Sequence, residues 1–132
     1  MTCRSVNPWA WQDAFGFSQG IEVRNAGRVL LISGQTSIDA DGTPGAVGDM
    51  HGQTAAAVSN LETVLHAAEM TFANLARLVV YTTDIDLFLA DGHEHLVTRI
   101  GHAAYALTLL GVSRLAFPEL LVEIEATAVA GD

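Results

Sequence analysis

A chain of 132 residues with a formal charge of −9 is long enough for one hydrophobic core and too short for two. Its six basic residues are all arginine, scattered from Arg4 to Arg114 among fifteen acidic ones, so the clustered cations that bind nucleic acid are missing, and the lack of lysine excludes Schiff-base chemistry through a side-chain amine. Apolar runs such as Val29 to Ile32 fall far short of the roughly 20 residues that cross a membrane, no secretory signal is expected ahead of Pro8, and the lone Cys3 cannot form an intrachain disulfide, which together point to the cytoplasm.

One domain is expected over residues 1–132, opening with a loop over residues 1–14 that holds Pro8, Trp9 and Trp11. Phe15 to Val23 alternates as a strand does, with Phe17, Gln19 and Ile21 on one face, and Arg24-Asn25-Ala26-Gly27 reads as a hairpin turn into the next strand. Arg28 to Ser33 carries four apolar residues in a row, the pattern of a central strand buried on both faces. Gly34 is expected to break it, Thr36 to Ile38 to resume briefly, and Asp39 to Gly45 to form a loop.

From Asp49 or Met50 to Met70 the period becomes helical, with Val58, Leu61, Leu65 and Ala68 on one stripe and Asp49 as a cap. Arg77 to Thr83 reads as a strand, and Asp84 or Asp86 opens a second helix carrying Leu89, Leu96, Ile100 and Ala103 to about Tyr105. Strands follow over Gly111 to Leu115 and Leu121 to Ala130; in the last, Val122, Ile124, Ala126 and Ala128 face the helices while Glu123, Glu125 and Thr127 face away. The expected architecture is α+β, a mixed sheet with two helices on one face. Half of the residues are hydrophobic and a further twelve are glycine, more than the roughly 45–50% that such residues make up in an ordinary soluble domain. The excess suits a sheet face covered by partner subunits.

The ordered set Gln19-Gly20, Ile32-Ser33-Gly34-Gln35, Asp49 with Gln53, Asn60-Leu61, Val79 to Asp84, and Leu121-Val122-Glu123-Ile124-Glu125-Ala126 resembles the RidA/YjgF family from Phe15 to Val129. The resemblance implies a chorismate-mutase-like fold, a homotrimer with small-molecule clefts between subunits, and hydrolysis of enamines and imines such as 2-aminoacrylate to keto acids and ammonia without metal or organic cofactor. It also exposes a departure. The family's catalytic arginine, which grips the substrate carboxylate, falls about fifteen residues before the first glutamate of the last strand; that position is Thr108, and neither Leu107, Leu109 nor Leu110 supplies a cation. The chain therefore reads as a member of an arginine-lacking subgroup. An arginine from elsewhere in the trimer, Arg24, Arg28 or Arg114, is the alternative source.

By the same resemblance, Glu123 is the catalytic acid/base that activates water, and Phe17, Ser33, Gly34, Asp91, Thr108 and Leu110 are substrate-binding positions. Phe17 stands for a family tyrosine and Asp91 lies near a family asparagine, so the pocket has lost a cation and a phenol and gained a carboxylate. A neutral or cationic ligand fits such a pocket better than an anion. His93-Glu94-His95 beside Asp91 could suggest a metal, but residues two apart on a helix point to different sides, and no metal is assigned. Trp9 and Trp11 read as packing groups, and Cys3 as an unactivated thiol. Two readings remain: an imine or enamine hydrolase, and a non-catalytic ligand-binding or interaction module on the same scaffold. The acidic charge weighs against a third, ribonuclease activity.

Overall fold

The computed structural model describes residues 1–101 and 104–132. The strands are β1 (Thr2–Val6), β2 (Gly20–Arg24), β3 (Arg28–Gln35), β4 (Leu75–Thr82), β5 (Ala106–Gly111) and β6 (Val122–Ala130); the helices are α1 (Met50–Ala67), α2 (Ile85–Asp91) and α3 (His93–Ile100). A mixed sheet in the order β3-β6-β4-β5 is antiparallel except for the β4–β5 pair, and α1 packs against β6 and β3 from one side. This is the expected α+β class.

The layer forms because alternate residues of the middle strands are apolar. Val122, Ile124, Ala126 and Ala128 of β6 and Leu78 and Val80 of β4 are buried against Ala57, Val58, Leu61 and Leu65 of α1. The Asp49 carboxylate caps α1 by accepting the Gly52 N–H at 2.9 Å. Gln53, fully buried, ties α1 to the entry of β6: its amide donates to the Glu119 carbonyl at 2.8 Å and accepts the Leu121 N–H at 2.7 Å. Asn60 does the same for the loop after β3, donating to the Thr36 and Ile38 carbonyls at 2.8 and 3.0 Å.

Several elements depart from the expectation. Residues 1–14 are not a plain loop: Thr2–Val6 forms β1, antiparallel to β2, and Trp11–Phe15 winds a 3-10 turn. The chain does turn at Asn25, whose φ is 57°, but β2 ladders with β1 and β3 with β6, so no β2–β3 hairpin pairing forms. Strand β3 is an edge strand with Val29 and Leu31 exposed, because an apolar run reports two apolar faces without reporting what covers them. It runs through Gly34 to Gln35 with a register irregularity after Ile32, and Thr36 to Ile38 contributes only a bridge from Ile38 to Pro44. The second helix divides at Gly92 into α2 and α3, with Leu96 and Ile100 buried and Leu89 exposed; Ala103 lies outside the described residues. The strand expected over Gly111 to Leu115 is instead β5, ending at Gly111.

Candidate active site on the open sheet face

The side of the sheet away from the helices is a grid set by the strand register. Tyr81 of β4 is flanked by Leu110 of β5 and Glu123 of β6; one rung along, Val79 is flanked by Thr108 and Glu125; one rung further, Arg77 is flanked by Ala106 and Thr127. Since successive residues of a strand point to opposite faces, these rungs share one wall. A cavity of about 460 Å³ opens over it, with Ser33, Arg77, Tyr81, Thr108, Leu110 and Glu125 among its lining residues.

Glu123 is not among the residues that line this cavity; it stands on the same face, paired in register with Tyr81, which does line it. A β-carbon on Gly34 would lie 1.8 Å from Glu123 Oε1, so the glycine is what makes room for the carboxyl group. Burial, and then the charge of Glu125, push the Glu123 carboxyl above the usual carboxylate range. The Tyr81 hydroxyl donates a short hydrogen bond to Glu125 Oε1, and that bond holds the phenol's pKa above its ordinary value. Glu123, Tyr81 and Glu125 thus stand together as a compact cluster on the open face.

The other expected site residues divide. Ser33, Gly34, Thr108 and Leu110 share the open face with Glu123. Ser33 and Thr108 stand at opposite margins, three strand spacings or roughly 14 Å apart, so within one chain they do not clamp a single small molecule. Phe17 is not in this site: it lines a hollow on the helix side of β5. Asp91 is not in it either, lying with His51, Glu94, His95 and Thr98 on the helix layer. The His51 and His95 rings meet there at 5.1 Å, and burial, then the neighbouring His51, lowers the His95 pKa. Among the described residues no group of three or more His, Cys, Asp or Glu is placed to hold a metal ion.

Sequence reasoning missed Arg77 and Tyr81. Arg77 places a guanidinium on the cavity wall, two rungs along β4 from Tyr81, and it makes no ion pair among the described residues. The signal was present as alternation in Arg77, Val79 and Tyr81, opposite to buried Leu78, Val80 and Thr82. Within one chain, Arg24 pairs with Glu22 at 2.9 Å, Arg28 donates to the Ala68 carbonyl, and Arg114 donates to the Leu115 carbonyl at 3.3 Å.

The Endoribonuclease L-PSP family matches residues 10–130. A RutC family protein of Pyrococcus horikoshii is 33% identical over 112 residues, 85% of each chain. Among solved structures, the Rid-family protein YyfB of Yersinia pestis superimposes with a TM-score of 0.88 at 36% identity, covering 98% of this chain and 100% of that one. A putative endoribonuclease of Thermotoga maritima gives 0.71 at 27% identity over 87% of each. No helix among the described residues is long and apolar enough to cross a membrane. On the strength of these likenesses, the chain belongs to the Endoribonuclease L-PSP family, the YjgF/RidA family.

Proposed function

We propose that the chain works in the cytoplasm as a homotrimer that hydrolyses a small uncharged imine, enamine or carbonyl-derived metabolite, with Glu123 as acid/base at a cleft completed by a neighbouring subunit. The observation that carries this reading is the Glu123 carboxyl, held over Gly34 beside the Tyr81–Glu125 pair and shifted upward by burial. A second subunit is called for because Leu31, Val29 and Leu110 stand 78%, 60% and 43% exposed, a larger apolar display than a soluble monomer ordinarily keeps.

In the proposed step Glu123 takes a proton from water as the water oxygen bonds to the C=N carbon, and passes that proton to the imine nitrogen to give a carbinolamine. Glu123 then takes the carbinolamine hydroxyl proton as the carbonyl forms and the C–N bond breaks, and delivers it to the leaving nitrogen, so imine and water become carbonyl and ammonia. A carboxyl whose pKa burial has raised holds a proton more readily than an ordinary carboxylate, which suits it to both transfers. Thr108 offers one neutral hydroxyl where the family resemblance expects a guanidinium, and charge-assisted bonds are roughly twice as strong as neutral ones. Arg77 lies two rungs, roughly 13 Å of backbone along β4, from the rung of Glu123, and its guanidinium belongs to the cavity wall and not to the Thr108 position. The preferred substrate is therefore uncharged.

The test gives purified protein 2-aminoacrylate and a panel of uncharged imines and follows carbonyl product. The reading expects turnover on the uncharged set and little on 2-aminoacrylate; no turnover above buffer on either ends it. A second reading, a ligand-binding module without chemistry, is favoured by the missing cation at Thr108. It predicts a ligand-dependent rise in melting temperature with no product. RNA cleavage is disfavoured by the charge of −9, and a cleavage assay with Glu123→Gln as control would separate it.

A further inference from the structure

Two histidines that the proposed chemistry leaves unused meet where α3 packs on α1. The His51 and His95 rings stand edge to face, with 5.1 Å between their centroids. His51 Nδ1 lies 3.3 Å from the Asp91 carbonyl oxygen at the end of α2, so this ring ties α1 to the α2–α3 joint. The joint itself sits tight: a β-carbon on Gly92 would lie 2.7 Å from both Thr54 Oγ1 of α1 and Phe88 Cδ2 of α2. At eight residues α3 is too short to hold as an isolated helix, for which roughly 12–15 are needed. Its order depends on packing, through Leu96 and Ile100 toward the core and through His95 toward α1.

The pair is poorly placed to accept a proton. His95 Nε2 is buried and has no hydrogen-bond partner among the described residues, so protonating it would create a buried cation with an N–H left unbonded. Each imidazole lies in the first turn of its helix, where the positive end of the helix dipole opposes a further positive charge. The neighbouring charges are divided. Asp91 and Glu94 line the same hollow and would favour an imidazolium, and Asp49 caps the end of α1 that bears His51. Against them stand His51 itself and Arg99, which lies one turn along α3 and pairs with Glu62 of α1 at 2.8 Å. Burial, then the charges of His51 and Arg99, hold the His95 imidazole below its ordinary pKa, so the opposing side prevails.

We propose that the His51–His95 contact is an acid-sensitive latch, closing α3 on α1 while the rings are neutral and letting α3 swing away about Gly92 when His95 takes a proton. Because the closed form prefers the neutral ring, its stability is complete above the unfolded histidine pKa of roughly 6.5 and declines as pH falls through that value toward the lower folded one. His93, on another side of α3, faces Phe15 and Phe88, and burial lowers its pKa as well, which makes it the rival source of acid sensitivity.

Amide hydrogen exchange of the full chain, expressed as protection factors, separates the two. Between about pH 7 and pH 5 the protection of residues 93–100 is expected to fall by about tenfold or more, while that of β4 and β6 stays constant. His95→Phe keeps a flat ring against His51 but cannot be protonated, and is expected to hold the loss under about twofold; His93→Gln should leave it in full. His51→Gln removes the neighbouring cation, so the midpoint of the loss should move to higher pH. Constant protection of α3 in the wild type, a loss shared equally by β4 and β6, a loss undiminished in His95→Phe, or one abolished by His93→Gln overturns the proposal. So does a midpoint that His51→Gln leaves in place. The readout needs no turnover and stands apart from the Glu123 chemistry.

Discussion

Gly34 and Glu123 depend on each other at the level of single atoms. Gly34→Ala would put a methyl carbon 1.8 Å from Glu123 Oε1, so the carboxyl must move or β3 must shift. The expected outcome is a loss of turnover together with roughly 1–3 kcal/mol of stability, read by urea denaturation beside the activity assay. The raised pKa of Glu123 also has a sign for stability. Because the folded state favours the protonated carboxyl, its contribution is present at acid pH and is lost as pH rises from the ordinary carboxyl range through the raised value. Glu123→Gln is expected to remove that decline, so its melting temperature, followed against pH, should fall less than that of the wild type over the same window. At this scale the common face of Glu123, Ser33 and Gly34 was legible, because each falls in a local motif. The side of the sheet on which Phe17 and Asp91 lie was not, because it depends on how distant segments pack.

Among the elements, the most informative contact is Gln53, a buried polar side chain that joins α1 to the start of β6. Gln53→Ala leaves the Leu121 N–H and the Glu119 carbonyl without their partners, and an unsatisfied buried group costs about 1–3 kcal/mol. A loss of roughly 3 kcal/mol in chemical denaturation is expected, with the Glu123 rung displaced because β6 begins at the next residue after Leu121. Leu65→Ala, on the fully buried stripe of α1, should cost about 2–5 kcal/mol without touching the open face. Strands β4 and β6 were readable because clean alternation reports one covered face. Strand β5 was not, since its Ala-Leu-Thr-Leu-Leu run continues the apolar texture of the preceding helix and the break at Gly101, with φ of 76°, is a backbone property. The β1 strand was hidden for a different reason: its five residues are all exposed and carry no burial pattern.

For the whole molecule, the class and layer order follow from periodicity, whereas the covering of the open face does not. A single chain leaves Leu31 and Leu110 in contact with solvent beside an acid cluster, and three chains packed along these faces would bury the former while enclosing the latter. Leu31→Glu is expected to reduce the mass measured by sedimentation to that of one chain while far-ultraviolet dichroism stays unchanged, since Leu31 is exposed in the isolated fold. Activity should fall with the mass.

The central claim, that the Glu123 carboxyl performs proton transfer on an uncharged C=N substrate, is tested most directly by the initial rate of ammonia release against pH for the wild type and Glu123→Gln. The wild-type rate should show an ionisation above the ordinary carboxyl range, and the rate for Glu123→Gln should be lower by about a hundredfold or more, from loss of a general acid/base. A Glu123→Gln profile that overlays the wild type would contradict it.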